Sequence, residues 1–180
     1  MTEQLIVLDP TGGATATPTD LVPRPESFDG LVVGYLDNGK PNSDRFLKIL
    51  SARLQGDGVR DVVWAHKANI GRLADVESIE DLAQRCDVVI TGVGDCAGCC
   101  SCTVQDGIAL ERTGTPTYIV CTSELVTIAR IAASAAGIPD YPLTVIDHPL
   151  GSLTEELLAV GLPVLILDPT GVWWRPSCVG

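Results

Sequence analysis

Basic side chains are scarce in this sequence of 180 residues. Its 12 lysines and arginines stand against 23 aspartates and glutamates, and the formal net charge at pH 7 is −11. Nucleic acids and anionic membrane surfaces are bound by basic protein surfaces. The low basic content therefore argues against nucleic acid and membrane as main partners.

Long apolar runs are also absent. No run approaches the ~18 residues that a membrane-spanning helix needs. The first residues, Met1–Gln4, lack the basic region that opens a signal peptide, and no small-residue cleavage site follows an apolar segment. We therefore expect the protein to remain in the cytoplasm.

Cysteine, by contrast, is plentiful. Three of the seven cysteines stand alone, at Cys86, Cys121 and Cys178. The other four fall within one stretch of seven residues and are Cys96, Cys99, Cys100 and Cys102. An odd total of seven cysteines, four of them clustered, in a reducing compartment does not suit a disulfide framework. The cluster indicates thiol chemistry or a metal site.

Short apolar runs alternate with segments of helical periodicity. A continuous run such as Leu31–Leu36 is typical of a strand buried on both faces. The pattern predicts strands over 31–36, 59–65, 87–91, 116–121, 143–146 and 163–167, helices over 43–54, 75–85, 100–113, 123–136 and 153–160, and a glycine-rich turn over 92–98. The alternation predicts an α/β fold, a three-layer sandwich with a mostly parallel, doubly wound sheet of the flavodoxin or Rossmann type.

Composition divides the chain into three parts. Residues 1–30 are predicted to form an N-terminal strand and an extended arm, and residues 31–162 the α/β domain with the cysteine loop. Residues 163–180 are predicted to form a C-terminal strand and a tail with Trp173 and Trp174. Tryptophans are common anchors at protein interfaces. We therefore expect the terminal segments to mediate a homo-oligomer or to dock onto a partner protein.

Polar side chains follow the predicted strands at the sheet edge where ligands bind in open parallel sheets. Lys40 follows the first strand and would anchor an anionic group, and His148 follows the fifth and would act as a general base. Further substrate-binding candidates on this edge are Asn38, Asn42, Gly94 and Glu124. Asp95 would cap the next helix or tune the neighbouring thiol. We interpret His66 as structural.

Cys96 and Cys99 form a Cys-x-x-Cys motif where a predicted strand turns into a helix. Backbone N–H groups and the positive end of the helix dipole stabilise a thiolate at such a position. We predict that Cys96 is the attacking thiolate and Cys99 the resolving thiol. The protein would then be a cysteine-dependent enzyme or catalytic subunit that acts on a small polar substrate by thiol redox or nucleophilic catalysis.

The segment Gly92-Val-Gly-Asp-Cys-Ala-Gly-Cys99, followed by Thr103-Val-Gln-Asp106, resembles the signature of the UGSC cysteine/selenocysteine family. The segments Asp37–Asn42 and His148–Leu150 resemble further elements of that family. In the family the position of Cys96 holds selenocysteine or cysteine. The resemblance covers most of the chain and implies a redox or strongly nucleophilic sulfur at this position, without naming a substrate.

A metal site is the alternative interpretation of the cluster. Cys100-Ser101-Cys102 resembles the tripeptide that holds iron or cobalt in nitrile hydratases, although Ala97 stands where their further cysteine would be. Clustered thiolates also bind zinc, copper or an iron–sulfur cluster. The second hypothesis is a metal-dependent hydratase or lyase whose ligands are Cys96, Cys99, Cys100 and Cys102. The third is a non-catalytic subunit of a larger complex.

Overall fold

Five strands alternate with four α-helices in the computed structural model, which describes residues 20–154. The strands are β1 (Val32–Asp37), β2 (Asp61–His66), β3 (Val88–Gly94), β4 (Thr117–Thr122) and β5 (Leu143–Ile146). The helices are α1 (Ser43–Gly56), α2 (Val76–Arg85), α3 (Ala97–Arg112) and α4 (Val126–Ala135), and a 3₁₀ turn over Ser123–Leu125 precedes α4.

The strands form one parallel sheet in the order β2-β1-β3-β4-β5. Every residue of the three central strands β1, β3 and β4 is buried. Continuous burial is what a parallel sheet covered on both faces requires, and it explains why these strands are apolar runs without alternation. The predicted α/β fold with a doubly wound parallel sheet is confirmed.

Helices cover both faces of this sheet, because successive residues of a strand point to opposite sides. Val33 and Tyr35 of β1 belong to the core cluster that contains the apolar face of α1. Val32 and Leu36 belong to the cluster on the α2 side, which Leu110 of α3 also joins. A third cluster joins α3 and α4 to β4 and β5. The three layers are therefore α1, the sheet, and the group α2, α3 and α4.

Two boundaries near the cysteines differ from the prediction. Strand β3 continues to Gly94, so the first part of the predicted glycine-rich turn is strand. A Cβ atom on Gly94 would lie 2.9 Å from Sγ and 3.0 Å from Cα of Cys100, so glycine allows α3 to approach the strand closely. Helix α3 begins at Ala97, earlier than predicted, because Cys96 acts as its N-cap.

The arm over residues 20–30 contains neither helix nor strand and is held at the amino edge of the sheet. The guanidinium of Arg24 pairs with the carboxylate of Glu111 at 2.6 Å. It also donates a hydrogen bond of 3.0 Å to the carbonyl of Thr117, the first residue of β4. This part of the predicted arm is therefore an anchored connector.

Several predictions concern residues outside 20–154. The N-terminal strand, most of the helix over 153–160, the strand over 163–167 and the tail with Trp173 and Trp174 lie there and stay predictions. Within the described residues, none of the helices combines the length and apolar character that crossing a bilayer needs. The cytoplasmic location and the role in assembly also stay predictions.

Candidate functional site

The candidate site lies at the carboxyl edge of the sheet, where β1 and β3 are neighbours. The connection after β1 leads outward to β2 and the connection after β3 leads the other way to β4, so this is the switch point at which open parallel sheets bind ligands. Hydrogen bonds join the end of β3 to the residues after β1. The backbone N–H of Asn38 and the hydroxyl of Ser43 both donate to the carbonyl of Gly92, each at 2.9 Å.

The two cysteines of the Cys-x-x-Cys motif cap helix α3 reciprocally. The N–H of Cys99 donates to Sγ of Cys96 at 3.4 Å, and the N–H of Cys96 donates to Sγ of Cys99 at 3.1 Å. Their sulfurs are 2.7 Å apart. A disulfide bond is about 2.05 Å long, so little movement separates this dithiol from a disulfide.

The two thiols differ in their access to solvent. Cys96 is exposed, whereas Cys99 is only 2% exposed. Burial and the hydrogen bond with Cys96 raise the pKa of Cys99 to about 11. Cys99 therefore stays protonated near pH 7, and its S–H donates to the carbonyl of Cys96 at 3.3 Å. Cys96 is the sulfur that a substrate can reach.

Asp95, immediately before these cysteines, is the centre of a polar cluster. Its buried carboxylate accepts hydrogen bonds from the backbone N–H groups of Leu150 at 3.1 Å and Gly151 at 2.9 Å. It also pairs with Nζ of Lys40 at 3.4 Å and with Nδ1 of His148 at 3.1 Å. Burial opposes ionisation, but the two backbone N–H groups and the Lys40 ammonium outweigh it and hold the pKa of Asp95 below its usual value. The structure thus brings together the two polar residues predicted to be catalytic, and Asp95 joins them.

The ring of His148 is fixed on one side only. Its Nδ1 lies 2.9 Å from the hydroxyl of Thr122 as well as beside Asp95. An Nδ1–H that donates to the carboxylate leaves Nε2 as the nitrogen with a free lone pair. The side chain is 32% exposed, so Nε2 is the part of the ring available to a ligand.

Asn42 holds the segment that carries the two N–H donors for Asp95. Its side-chain amide donates to the carbonyls of Leu150 at 3.0 Å and Leu153 at 2.9 Å. Gly151 packs closely on the ion pair, since a Cβ there would lie 2.7 Å from Cε of Lys40. Asn42 therefore braces the site, a different role from the substrate contact predicted for it.

The other three residues predicted to bind substrate are not hydrogen-bonded to the carboxylate of Asp95. The amide of Asn38 is fully buried and donates to the carbonyl of Val93 and the hydroxyl of Thr103, each at 2.9 Å, so it braces the loop. Gly94 serves the packing of α3. Glu124 lies in the 3₁₀ turn with an exposed side chain and is not among the groups that bind Asp95. Of the two roles considered for Asp95, capping of α3 is excluded, because Cys96 takes that position.

The four clustered cysteines do not converge on one point. Cys100 is fully buried in the core beside α4, with Sγ 3.7 Å from the carbonyl of Leu125. A hydrogen bond with Cys121 and burial raise the pKa of Cys100. Cys102 is half-buried on α3. Across residues 20–154, no three His, Cys, Asp or Glu side chains are grouped so that they could hold a metal ion.

Sequence reasoning missed the contact between His66 and Asp37. These are the last residues of β2 and β1, and they are partners in the register of the two strands. Nδ1 of His66 lies 2.8 Å from Oδ2 of Asp37. The available signal was that both strands end in a polar residue, but only the pairing of β1 with β2 shows that the two side chains meet.

Comparison with known proteins identifies the family of the chain. A search of curated proteins gives no match. The profile of the UGSC family matches residues 6–161, which include all five strands and the cysteine loop. The chain therefore belongs to the UGSC family, as its motifs around Cys96 indicated.

Proposed function

We propose that this protein is a thiol-dependent enzyme, or the catalytic subunit of one, that acts on a small polar substrate through Cys96. The observation that carries the proposal is the exposed sulfur of Cys96, 2.7 Å from the buried sulfur of Cys99, at the start of α3. Reactive cysteines occupy such positions because helix N-termini favour the thiolate. The match to the UGSC family supports the proposal at the level of the motif only.

Cys96 attacks and Cys99 resolves in this proposal. A thiolate on Cys96 accepts the N–H of Cys99 and lies at the positive end of the α3 dipole. Cys99 is protonated because of its raised pKa, and its S–H turns to donate to the thiolate once Cys96 is ionised. The protonated, buried partner thus stabilises the charge on the exposed one and stays in reach for the second step.

Lys40 and His148 orient the substrate. Both nitrogens pair with Asp95, and their side chains are 18% and 32% exposed, so each retains a surface for a ligand. The ammonium of Lys40 attracts an anionic or carbonyl oxygen, and Nε2 of His148 accepts or returns a proton. Asp95 is a positioning residue, because it acts through these two side chains.

The redox form of the reaction consumes two thiols. The Cys96 thiolate attacks one atom of a reducible bond of the substrate, such as a disulfide. The bond to Sγ forms as that substrate bond breaks, and its electron pair goes to the second atom, which takes up a proton from His148 or water. Cys99 then gives its proton to the departing group and attacks Sγ of Cys96, which breaks the bond to the substrate. The substrate leaves reduced by two electrons, and Cys96 and Cys99 are left as a disulfide, which a small thiol reductant returns to the dithiol.

Mild oxidation of the purified protein with diamide tests this pairing. We expect peptide mapping to find a Cys96–Cys99 disulfide, formed in the wild type and absent from Cys96→Ser. Cys102→Ser is the matched control, because Cys102 lies on the same helix and is half-buried. Normal oxidation in Cys102→Ser is expected. A first disulfide formed between other cysteines would contradict the proposal.

Metal analysis of the same samples tests the competing hypothesis, in which the cysteines bind a metal ion. We expect no stoichiometric zinc, iron, cobalt or copper in protein purified without added metal. A stoichiometric metal that is lost in Cys96→Ser would overturn the dithiol proposal, because one thiol cannot both ligate a metal and act as a free nucleophile.

A further inference from the structure

A second polar cavity lies beside the thiol site and is not used by the proposed reaction. It has a volume of about 500 Å³ and lies between the β1–α1 loop, α1 and the edge strand β2. The lining side chains include Asp37, Lys40, Asp44, Lys48, Trp64 and His66, and we call this space the Trp64 cavity. Lys40 belongs to both places, since it also pairs with Asp95.

A hydrogen bond to Asp37 fixes the orientation of the His66 imidazole. Asp37 is 4% exposed, and its carboxylate lies 2.8 Å from Nδ1 of His66 and accepts the N–H of Gly39 at 3.1 Å. The side chain of His66 is itself 65% exposed. A buried carboxylate that holds Nδ1–H sets the ring orientation and leaves Nε2 for a ligand.

Trp64 adds a flat apolar wall. It precedes His66 by two residues in β2, so both side chains point to the same face of the sheet. Its indole stacks on the buried ring of Tyr35, with 4.5 Å between centroids and 18° between planes. The side chain remains 42% exposed, and an exposed indole backed by another ring is a rigid surface for a planar group.

Two lysines supply positive charge to the same cavity. Lys48 pairs with Asp44 at 3.1 Å, but both side chains are largely exposed, so the pair is weak and the ammonium can turn toward a ligand. Lys40 lies at the end of the cavity nearer to Asp95. A carboxylate placed between these ammonium groups would gain charge-assisted hydrogen bonds.

We propose that the Trp64 cavity binds a small planar carboxylate. The flat part of the ligand lies on Trp64, and its carboxylate lies near Lys40 and Lys48. Nε2 of His66 is a further hydrogen-bond partner. Since Lys40 joins the cavity to the thiol site, a molecule bound here lies next to the reacting groups. The binding itself does not depend on whether Cys96 is reactive.

Nuclear magnetic resonance of the histidine rings tests this inference. The chain contains two histidines, so the imidazole spectrum holds two sets of signals, and His148→Asn assigns them. In the free protein we expect His66, when neutral, to carry its proton on Nδ1. On titration with benzoate we expect saturable shifts of the His66 signals, and much smaller shifts with benzamide, which has the same ring without the charge.

Matched variants keep the test specific. Lys48→Met should weaken benzoate binding several-fold. Arg85→Met should not, although Arg85 also forms an exposed i,i+4 pair, with Asp81 on α2. Absence of saturable shifts at His66, equal shifts with benzamide, or equal weakening by both variants would overturn the inference. These outcomes are read without any thiol modification, so they leave the proposal for Cys96 to be judged by its own experiment.

Discussion

Two polar clusters lie at opposite edges of the sheet, and only one of them has partly exposed partners. At the amino edge, Glu111 binds Arg24 at 2.6 Å and accepts the hydroxyl of Tyr141 at 2.9 Å. At the carboxyl edge, Asp95 binds Lys40 and His148. Both carboxylates are buried, and each accepts a backbone N–H from a distant segment.

The two clusters differ in how much of their side chains is exposed to solvent. The Arg24 and Glu111 side chains are 9% and 0% exposed, so their charges interact with each other inside the fold and cannot contact a ligand. The side chains that bind Asp95 are 18% and 32% exposed, and the exposed thiol of Cys96 follows directly in the chain. Burial and charge alone therefore do not indicate function. Partly exposed charged groups beside an exposed thiol are what make this edge the candidate site.

The largest effect is expected from breaking the amino-edge cluster. Glu111→Ala leaves the Arg24 guanidinium without its buried partner, and we expect a loss of about 3–5 kcal/mol in the free energy of unfolding. Urea denaturation measures it, and Glu80→Ala, an exposed acid in α2, is the control. Glu111→Gln serves if the alanine variant does not fold. Thiol reactivity of the folded fraction should not change, and a large change there would mean that the two clusters are not separate in function.

A smaller loss is expected from Asp95→Asn, which keeps the size of the side chain but removes its charge. We expect a decrease of about 1–3 kcal/mol at pH 7, because hydrogen bonds to a charged, buried acceptor are weakened. Asp95 has a lowered pKa in the folded protein, so its stabilisation is present above its unfolded value of 3.8 and is lost as the pH falls through the folded value.

Measuring the free energy of unfolding at acid pH tests whether ionised Asp95 stabilises the fold. The difference in unfolding free energy between the wild type and Asp95→Asn should shrink as the pH falls below 3.8. A difference that stays constant down to acid pH would show that the charge of Asp95 does not stabilise the fold.

The smallest effect is expected from Gly151→Ala. Its Cβ would meet Cε of Lys40 at 2.7 Å and Oδ2 of Asp95 at 3.0 Å. Lys40 is flexible and can swing away, so we expect a loss of only about 1 kcal/mol in urea denaturation, at the low end of overpacking costs. Gly56→Ala, where nothing lies within 4 Å, should instead be neutral or stabilise by about 0.5 kcal/mol. Equal effects at both glycines would contradict the close packing at Asp95.

The sequence was sufficient to predict most of the fold for a physical reason. Strands buried on both faces leave continuous apolar runs, and α1 shows its buried residues at helical spacing. The start of α3 was missed because cysteine is not among the residues that usually cap helices. Strand order was not predictable, since no local pattern records which strands pair.

Part of the arrangement at the candidate site was predictable for related reasons. The sequence placed Lys40, Cys96 and His148 at one edge, because the carboxyl ends of parallel strands meet there. The hydrogen bonds of Asp95 could not be predicted, because Leu150 and Gly151 follow it by more than 50 residues. The pairing of His66 with Asp37 required the register of β1 and β2.

The most direct test of the central claim is the order in which the cysteines react. Wild-type protein is treated near pH 7 with limiting iodoacetamide, and each cysteine peptide is quantified by mass spectrometry. We predict that Cys96 is modified first, ahead of the half-buried Cys102, and that Cys99 resists because of its burial and raised pKa. Modification of Cys102 as fast as Cys96, or of Cys99 before either, would contradict the assignment of Cys96 as the nucleophile.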